Sequence, residues 1–250
     1  MTTRSLTVFC ATALTLAIPI SAFAQNQVPS AELVVDGTRY EIPTTRLPSA
    51  KQWGLGELGP NSDEPMWILK VEGPEGFEAM VSGIMDPDPS IAYGISVTDF
   101  GAPSVFGFIF STPIVPTGSP NVVTASVVGG LTDFTGNGVT MTPTGPFLQV
   151  ADVLAPATNM GVDVGLGFIA AAGPPGSFYG YGPYGSGPLA GPGPGPWTTL
   201  RTTTSFSLSG GGDIFSLTGF ASINEIPEPS TIALTLLGGL GVYGLFRRRN

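Results

Sequence analysis

The sequence contains no histidine, and its single cysteine, Cys10, lies in an apolar run near the N-terminus. Without histidine the chain cannot build a Ser-His-Asp or Cys-His nucleophile, and the usual zinc ligands are missing. Because no cysteine follows Cys10, the rest of the chain has no disulfide and must be held together by burial of apolar surface. These absences predict a protein that is not an enzyme, although a pair of carboxylates could still hydrolyse a glycosidic bond.

Basic residues are also scarce. Residues 25–225, which we call the body, contain 17 acidic and 5 basic side chains, a net charge of −12. This charge disfavours binding to nucleic-acid phosphates or to an anionic membrane surface. One acidic stretch shows no spacing that separates an acid from a nucleophile, so we interpret it as solvated surface charge. It consists of Glu57, Asp63, Glu64, Glu72, Glu75 and Glu78.

The N-terminal segment has the pattern of a secretory signal peptide. Residues 1–4 carry one positive charge, residues 6–20 are mostly apolar, and Ala22-Phe23-Ala24 has the small-x-small form that signal peptidase recognises. We therefore predict a signal peptide over residues 1–24, with Ala22 and Ala24 at the cleavage site and Gln25 as the new N-terminus. An uncleaved membrane anchor is the alternative, but the apolar run is short for a spanning helix.

The C-terminal segment, residues 226–250, combines three features. Ile226-Pro227-Glu228-Pro229-Ser230 is followed by an apolar run over residues 231–246, and then by Arg247, Arg248 and Arg249. Proline fixes its own φ and favours extended geometry in the preceding residue, so Pro-Glu-Pro is a rigid and open strand. A helix over 231–246 would be about 24 Å long, close to a bilayer core of about 30 Å. The arginines predict a cytoplasmic tail, with the body on the outer side.

This arrangement resembles the PEP-CTERM sorting family, whose members end in a Pro-Glu-Pro motif, one membrane helix and an arginine-rich tail. The resemblance implies that Pro227, Glu228 and Pro229 are the motif read by an exosortase, a membrane-embedded enzyme similar to cysteine proteases. Ile226 stands where valine is commoner. An ordinary tail-anchored membrane protein with a proline-rich stalk is the alternative.

Family membership would also set the location of the protein. Members are exported by bacteria that make exopolysaccharide and live in biofilms or flocs, and their bodies vary widely. The resemblance therefore implies a Gram-negative source, secretion across the inner membrane, transient membrane anchoring, and a final place on the cell surface or outside the cell. What the body does must be argued from the body itself.

The body shows alternation of apolar and polar residues with period two far more often than a helical period. Asp36-Gly37 suits a two-residue hairpin turn, and Phe106, Phe108 and Phe110 predict a strand with an aromatic inner face. We predict an all-β body, a β-sandwich or jelly roll, without a long helix. The other candidate strands are residues 32–35, 38–42, 66–71, 77–85, 91–99, 122–128, 147–154, 162–170, 202–208 and 213–223.

Residues 173–197 interrupt this pattern, because 16 of these 25 residues are glycine or proline. Such a composition buries little apolar surface, so we predict a long mobile loop within the domain. The loop is either an insertion tolerated between two strands or an adhesive, sugar-binding loop, since aromatic rings stack on flat apolar partners. Its aromatic residues are Phe178, Tyr179, Tyr181, Tyr184 and Trp197.

Two turns contain groups of possible metal ligands. Asp133, Thr135, Asn137 and Gly138 match the opening of an oxygen-rich calcium loop, but Thr144 stands where the bidentate acid should be. Asp86 and Asp88 form a second pair of carboxylates, in an Asp-Pro context that also initiates ordinary turns. Plain turn chemistry explains both groups, and we predict no cofactor.

The sequence leaves three classes of function open. The first is a structural or interaction protein of the extracellular matrix, associated with exopolysaccharide or biofilm. The second is a carbohydrate-binding module, which requires exposed aromatic side chains beside polar groups. The third is a glycoside hydrolase that uses only carboxylates, which requires a cleft with two facing acids.

Overall fold

A computed structural model describes residues 29–42, 66–73, 76–86, 89–114, 120–154, 157–167, 169–193 and 197–226. The predicted signal peptide with Ala22 and Ala24, the Pro227-Glu228-Pro229 motif, the helix over 231–246 and the tail of Arg247, Arg248 and Arg249 all lie outside these residues. Within the described part, no helix is long and apolar enough to span a bilayer.

The described residues form two antiparallel sheets, as expected for an all-β body, and this arrangement is consistent with the predicted β-sandwich. Sheet A contains β1, β2, β6, β8, β9, β10, β11 and β13, and sheet B has the order β12-β7-β14-β5-β4-β3. The strands are β1 (Ser30–Val35), β2 (Thr38–Ile42), β3 (Met66–Gly73), β4 (Phe77–Asp86), β5 (Ser90–Asp99), β6 (Ser104–Pro113), β7 (Asn121–Asp133), β8 (Val139–Pro143), β9 (Gln149–Leu154), β10 (Thr158–Asn159), β11 (Ile169–Ala171), β12 (Ser177–Ala190), β13 (Thr199–Leu208) and β14 (Asp213–Glu225).

The core lies between the two sheets and is rich in aromatic rings. Phe106, Phe108 and Phe110 on β6 are fully buried, as their alternation predicted. Rings from opposite sheets meet edge to face, with centroids 4.7 Å apart for Phe206 and Phe215. Aromatic side chains bury large apolar areas, so this contact layer supplies the stabilisation that disulfides would otherwise provide.

The hairpin formed by β1 and β2 confirms the turn predicted at Asp36-Gly37. Both turn residues have positive φ, 46° for Asp36 and 85° for Gly37, as a two-residue turn that matches the twist of the strands requires. The Asp36 carboxylate also accepts a hydrogen bond from the Val105 N–H at 2.8 Å. The turn is thereby fixed to β6, the neighbour of β1 on its other side.

The strand predicted over residues 162–170 is wrong. Within residues 162–167 only Val164 pairs, in an isolated bridge with Gln149, and the predicted range overlaps a strand only at the first two residues of β11, Ile169 and Ala170. Gly165 and Gly167 have φ values of 86° and 69°, which a regular strand does not allow. Val162 and Val164 are instead buried in the core from an irregular connection, whereas Leu166 is exposed.

The mobile loop predicted over residues 173–197 is also wrong for most of its length, because Ser177–Ala190 forms β12 and pairs with β7. Two reasons explain the difference. β12 is an edge strand, where proline is tolerated because one side of the strand needs no ladder hydrogen bonds. Register shifts lie between Tyr181 and Tyr184 and between Ser186 and Leu189, and they accommodate Pro183 and Pro188.

Candidate functional site

A groove of about 450 Å³ lies on the outer face of sheet B. It extends from β4 to β12 across β5, β14 and β7, and none of the described residues that line it is charged. Its volume falls within the range typical of ligand-binding clefts. The groove is therefore a candidate ligand-binding site.

The floor of the groove follows from the register of four adjacent strands. Residues that are directly opposite each other on neighbouring strands point to the same face, so each row across the sheet presents one set of side chains. Two adjacent rows carry mostly small or hydroxyl-bearing residues, and each has one bulkier residue at an end. One row is Gly130, Ser216, Ser96 and Met80, and the next is Val128, Thr218, Gly94 and Ser82.

Serine hydroxyls form hydrogen bonds along this floor. The Oγ atoms of Ser96 and Ser216 are 2.9 Å apart, and Ser82 Oγ donates to the Gly94 carbonyl oxygen over a longer 3.4 Å. A hydroxyl both donates and accepts hydrogen bonds and can rotate to suit a partner. The floor can therefore bind polar groups of either kind without a charge.

Phe178 on β12 borders the groove, and its side chain is 67% exposed. The ring lies over Gly130, where an added Cβ would be 2.2 Å from the Cζ atom of the ring. Any residue other than glycine at position 130 would displace the ring. Met80 and Val128, which are 48% and 47% exposed, also line the groove, so a floor rich in hydroxyls has apolar side chains beside it.

The other aromatic residues of the predicted adhesive loop are in the core. Tyr181 and Trp197 are buried, and Tyr179 and Tyr184 pack against the core cluster. Burial raises the pKa of the Tyr181 phenol, and the neighbouring Tyr184 adds to that effect. Among these five aromatic residues, only Phe178 is strongly exposed, so the alternative of an adhesive loop with several ligand-binding rings does not fit the structure. The alternation of side chains along β12 places Phe178 on the opposite face from Tyr179 and Tyr181. This separation can be recognised only once β12 is known to be a strand.

A second group of polar residues lies at one end of sheet B. Asp99, Asp133 and Asp213 lie at the ends of three adjacent strands, β5, β7 and β14, and all three are fully buried. Two of them bind loop backbone. Asp99 accepts from the N–H groups of Gly101 and Ser104, at 3.2 and 3.1 Å. These carboxylates therefore hold the loops that follow their strands.

The carboxylate of Asp213 accepts fewer hydrogen bonds than the carboxylate of Asp99. Its Oδ2 accepts a hydrogen bond from Ser209 Oγ at 2.5 Å, whereas its Oδ1 is buried without a hydrogen bond. Burial raises the pKa of the Asp213 carboxyl, the bond from Ser209 partly offsets this effect, and the charge of Asp133 adds to it. Burial also raises the pKa of Asp99, against the bonds from Gly101 and Ser104.

In the loop considered as a calcium site, the candidate ligands form hydrogen bonds within the loop itself. Asp133 Oδ1 and Oδ2 accept from the N–H groups of Gly136 and Gly138, at 2.7 and 2.9 Å. Thr135 Oγ1 donates to Asn137 Oδ1 at 2.7 Å. In the part of the chain that the structure describes, no group of three or more acidic side chains is arranged to hold a metal ion. The geometry is that of a turn held by its own side chains.

Few of the other acidic candidates fall within the described ranges. Glu72 and Glu78 lie on β3 and β4, directly opposite each other in the register, and Asp86 is the last residue of β4. The remaining acids lie outside the described residues, namely Glu57, Asp63, Glu64, Glu75 and Asp88. Neither of the two described acids of the predicted stretch, Glu72 and Glu78, is among the residues that line the groove.

Comparison with protein-family models and with curated proteins gives no match for this chain.

Proposed function

We propose that this chain is an exported protein of the cell surface or extracellular matrix, sorted by an exosortase and associated with exopolysaccharide or biofilm. Its role is structural or interactive. It crosses the inner membrane, is held there transiently by residues 231–246, and is then found on the surface or outside the cell. The order of a signal peptide pattern, an all-β body and a PEP-CTERM-like segment supports this route.

The observation that carries the binding role is the uncharged groove on sheet B. It combines hydroxyl groups with the exposed ring of Phe178. Polar groups placed beside an apolar side chain suit a surface that binds a ligand without catalysing a reaction. The same observation favours the second candidate, a carbohydrate-binding module. The groove gives no support to a carboxylate-only hydrolase, because none of the described residues that line it carries a carboxyl group and that reaction needs two facing acids.

The sorting proposal is tested by expressing the chain in one host with, and another without, its exosortase. Wild-type protein should be released from the membrane fraction at reduced mass only in the host with the enzyme. Replacing Pro227 and Pro229 together with alanine should prevent processing, because the membrane helix can then extend into the motif. Glu228→Ala keeps the extended backbone and tests recognition of the charge alone.

A matched control is the double alanine variant of Pro174 and Pro175, which lie in the exposed segment before β12 and should be processed like wild type. Deletion of Arg247 to Arg249 should weaken the orientation and retention of the helix while leaving the motif intact. If wild-type protein stays full-length in the membrane of both hosts, the sorting proposal is wrong and the protein is permanently anchored.

A further inference from the structure

We infer that the groove on sheet B binds a neutral glycan chain that lies across the strands, with one sugar ring against Phe178. This inference rests on the proposed extracellular interaction role and names the ligand of its binding surface. Three properties of the groove carry it: the chemistry of its lining, its lack of charge, and its direction across the sheet.

The lining matches the two kinds of surface that a sugar ring presents. A pyranose carries hydroxyl groups around its edge and C–H groups on its faces. Ser96 and Ser216 form a hydroxyl pair on the floor, and each can exchange this mutual bond for bonds to sugar hydroxyls. Phe178 and Met80 are exposed apolar side chains at either end of the groove, and an aromatic ring stacks favourably on a flat apolar partner.

The absence of charge selects against most other ligands. The chain has a net charge of −9, so its field repels anionic polymers such as acidic polysaccharides or nucleic acids. Among the described residues, no carboxylate lines the groove to attract a cation, and no basic residue lines it to bind a phosphate or a carboxylate. A neutral ligand rich in hydroxyl groups is not repelled by the net charge of the chain.

The direction of the groove favours a chain over a single sugar. The floor crosses from β4 through β5 and β14 to β7 and is bordered by β12. Adjacent strands are about 4.8 Å apart, so the five strands span about 19 Å. That distance accommodates a short run of linked rings along the floor, with Phe178 covering Gly130 at the β7 end.

The inference is tested with protein exported in the exosortase host, collected from the medium if it is released or extracted with detergent from the membrane if it is not, and applied to an array of neutral and anionic oligosaccharides. Retained glycans are then titrated by calorimetry. We expect binding to neutral glycans and not to anionic ones. Phe178→Ala should weaken it about tenfold, the loss expected when a stacking contact is removed. Ser216→Tyr should abolish binding because the new ring fills the floor.

Two variants outside the groove are matched controls. Phe134→Ala removes a ring that is 61% exposed in the loop after β7, and Ser126→Tyr adds a ring at an exposed position on β7 that does not line the groove. Both should bind like wild type. Thermal unfolding of all four variants should show folded proteins, so that lost binding reports on the groove.

Three results would overturn the inference: no binding to any neutral glycan, binding only to anionic glycans, or equal binding by wild type, Phe178→Ala and Ser216→Tyr. Sedimentation distinguishes another occupant, because a dimer that these two variants dissociate, without glycan binding, would mean that a second copy fills the groove. Processing and release are measured separately. Normal release without glycan binding contradicts only this inference, whereas glycan binding without release contradicts the sorting proposal.

Discussion

Tyr93 in sheet B donates a hydrogen bond from its hydroxyl group to Gln149 Oε1 in sheet A, at 2.6 Å across the core. Gln149 Nε2 also donates a hydrogen bond to sheet B, to the Phe220 carbonyl oxygen at 3.0 Å. Thr204 Oγ1 forms a further hydrogen bond with the Tyr93 hydroxyl group. Burial raises the pKa of the Tyr93 phenol, so the phenol stays protonated. These bonds fix how the two sheets face each other, because buried polar groups require their partners.

Replacing Tyr93 with phenylalanine should destabilise the protein by about 1–3 kcal/mol, because Gln149 Oε1 then stays buried without its donor. Urea unfolding followed by tryptophan fluorescence measures the loss. Tyr184→Phe is the matched control, since Tyr184 is half-buried at the edge strand β12, and it should cost less. An equal loss in both variants would show that the bond across the sheets has no special role.

Gly219 should not tolerate a side chain, since the Tyr93 ring occupies the space above it. A Cβ at position 219 would be 2.2 Å from Tyr93 Cζ, and the ring cannot move without breaking its bond to Gln149. We expect Gly219→Ala to cost about 1–3 kcal/mol, as overpacking does. Gly107→Ala is the control, because its Cβ would meet nothing closer than 3.7 Å. Denaturant midpoints that fall equally would contradict this account.

Strand positions could be predicted wherever one face of a strand is buried and the other is polar. On β14, Phe215 and Leu217 face the core while Ser216 and Thr218 face outward, and this alternation is visible in the sequence. The sequence does not predict β12, because the high glycine and proline content of this segment does not reveal that it pairs with β7. The inward tyrosines of β12 gain their burial from β7 and the core, which no local pattern reveals.

The groove could not be predicted from the sequence for a related reason. Ser96 and Ser216 are 120 residues apart along the chain, and only the register between β5 and β14 brings them together. Phe178 was noticed as an aromatic residue, but its position over Gly130 depends on the pairing of β12 with β7. Contacts across strands are set by the order of the strands in the sheet, and local propensity does not encode that order.

Asp133→Asn should destabilise the protein although the two side chains have the same shape. Both Asp133 carboxylate oxygens accept backbone N–H bonds, from Gly136 and Gly138. An asparagine offers only one acceptor, so one N–H would face the side-chain NH₂ group. We expect a loss of about 1–3 kcal/mol in urea unfolding. A stability equal to that of wild type would show that the loop does not depend on this pair of bonds.

Asp213→Asn should have the opposite effect, since Asp213 Oδ1 is buried without a hydrogen bond. Burial raises the pKa of this carboxyl above its usual 3.8, so the folded state binds a proton more tightly than the unfolded state. Stability therefore falls as pH rises from about 4 through the raised pKa and is level above it. The asparagine mimics the protonated acid while still accepting from Ser209. In urea unfolding, the variant should be more stable than wild type at pH 7. Its stability should also depend less on pH between about 4 and 7. A variant that is less stable than wild type at pH 7 would contradict this account.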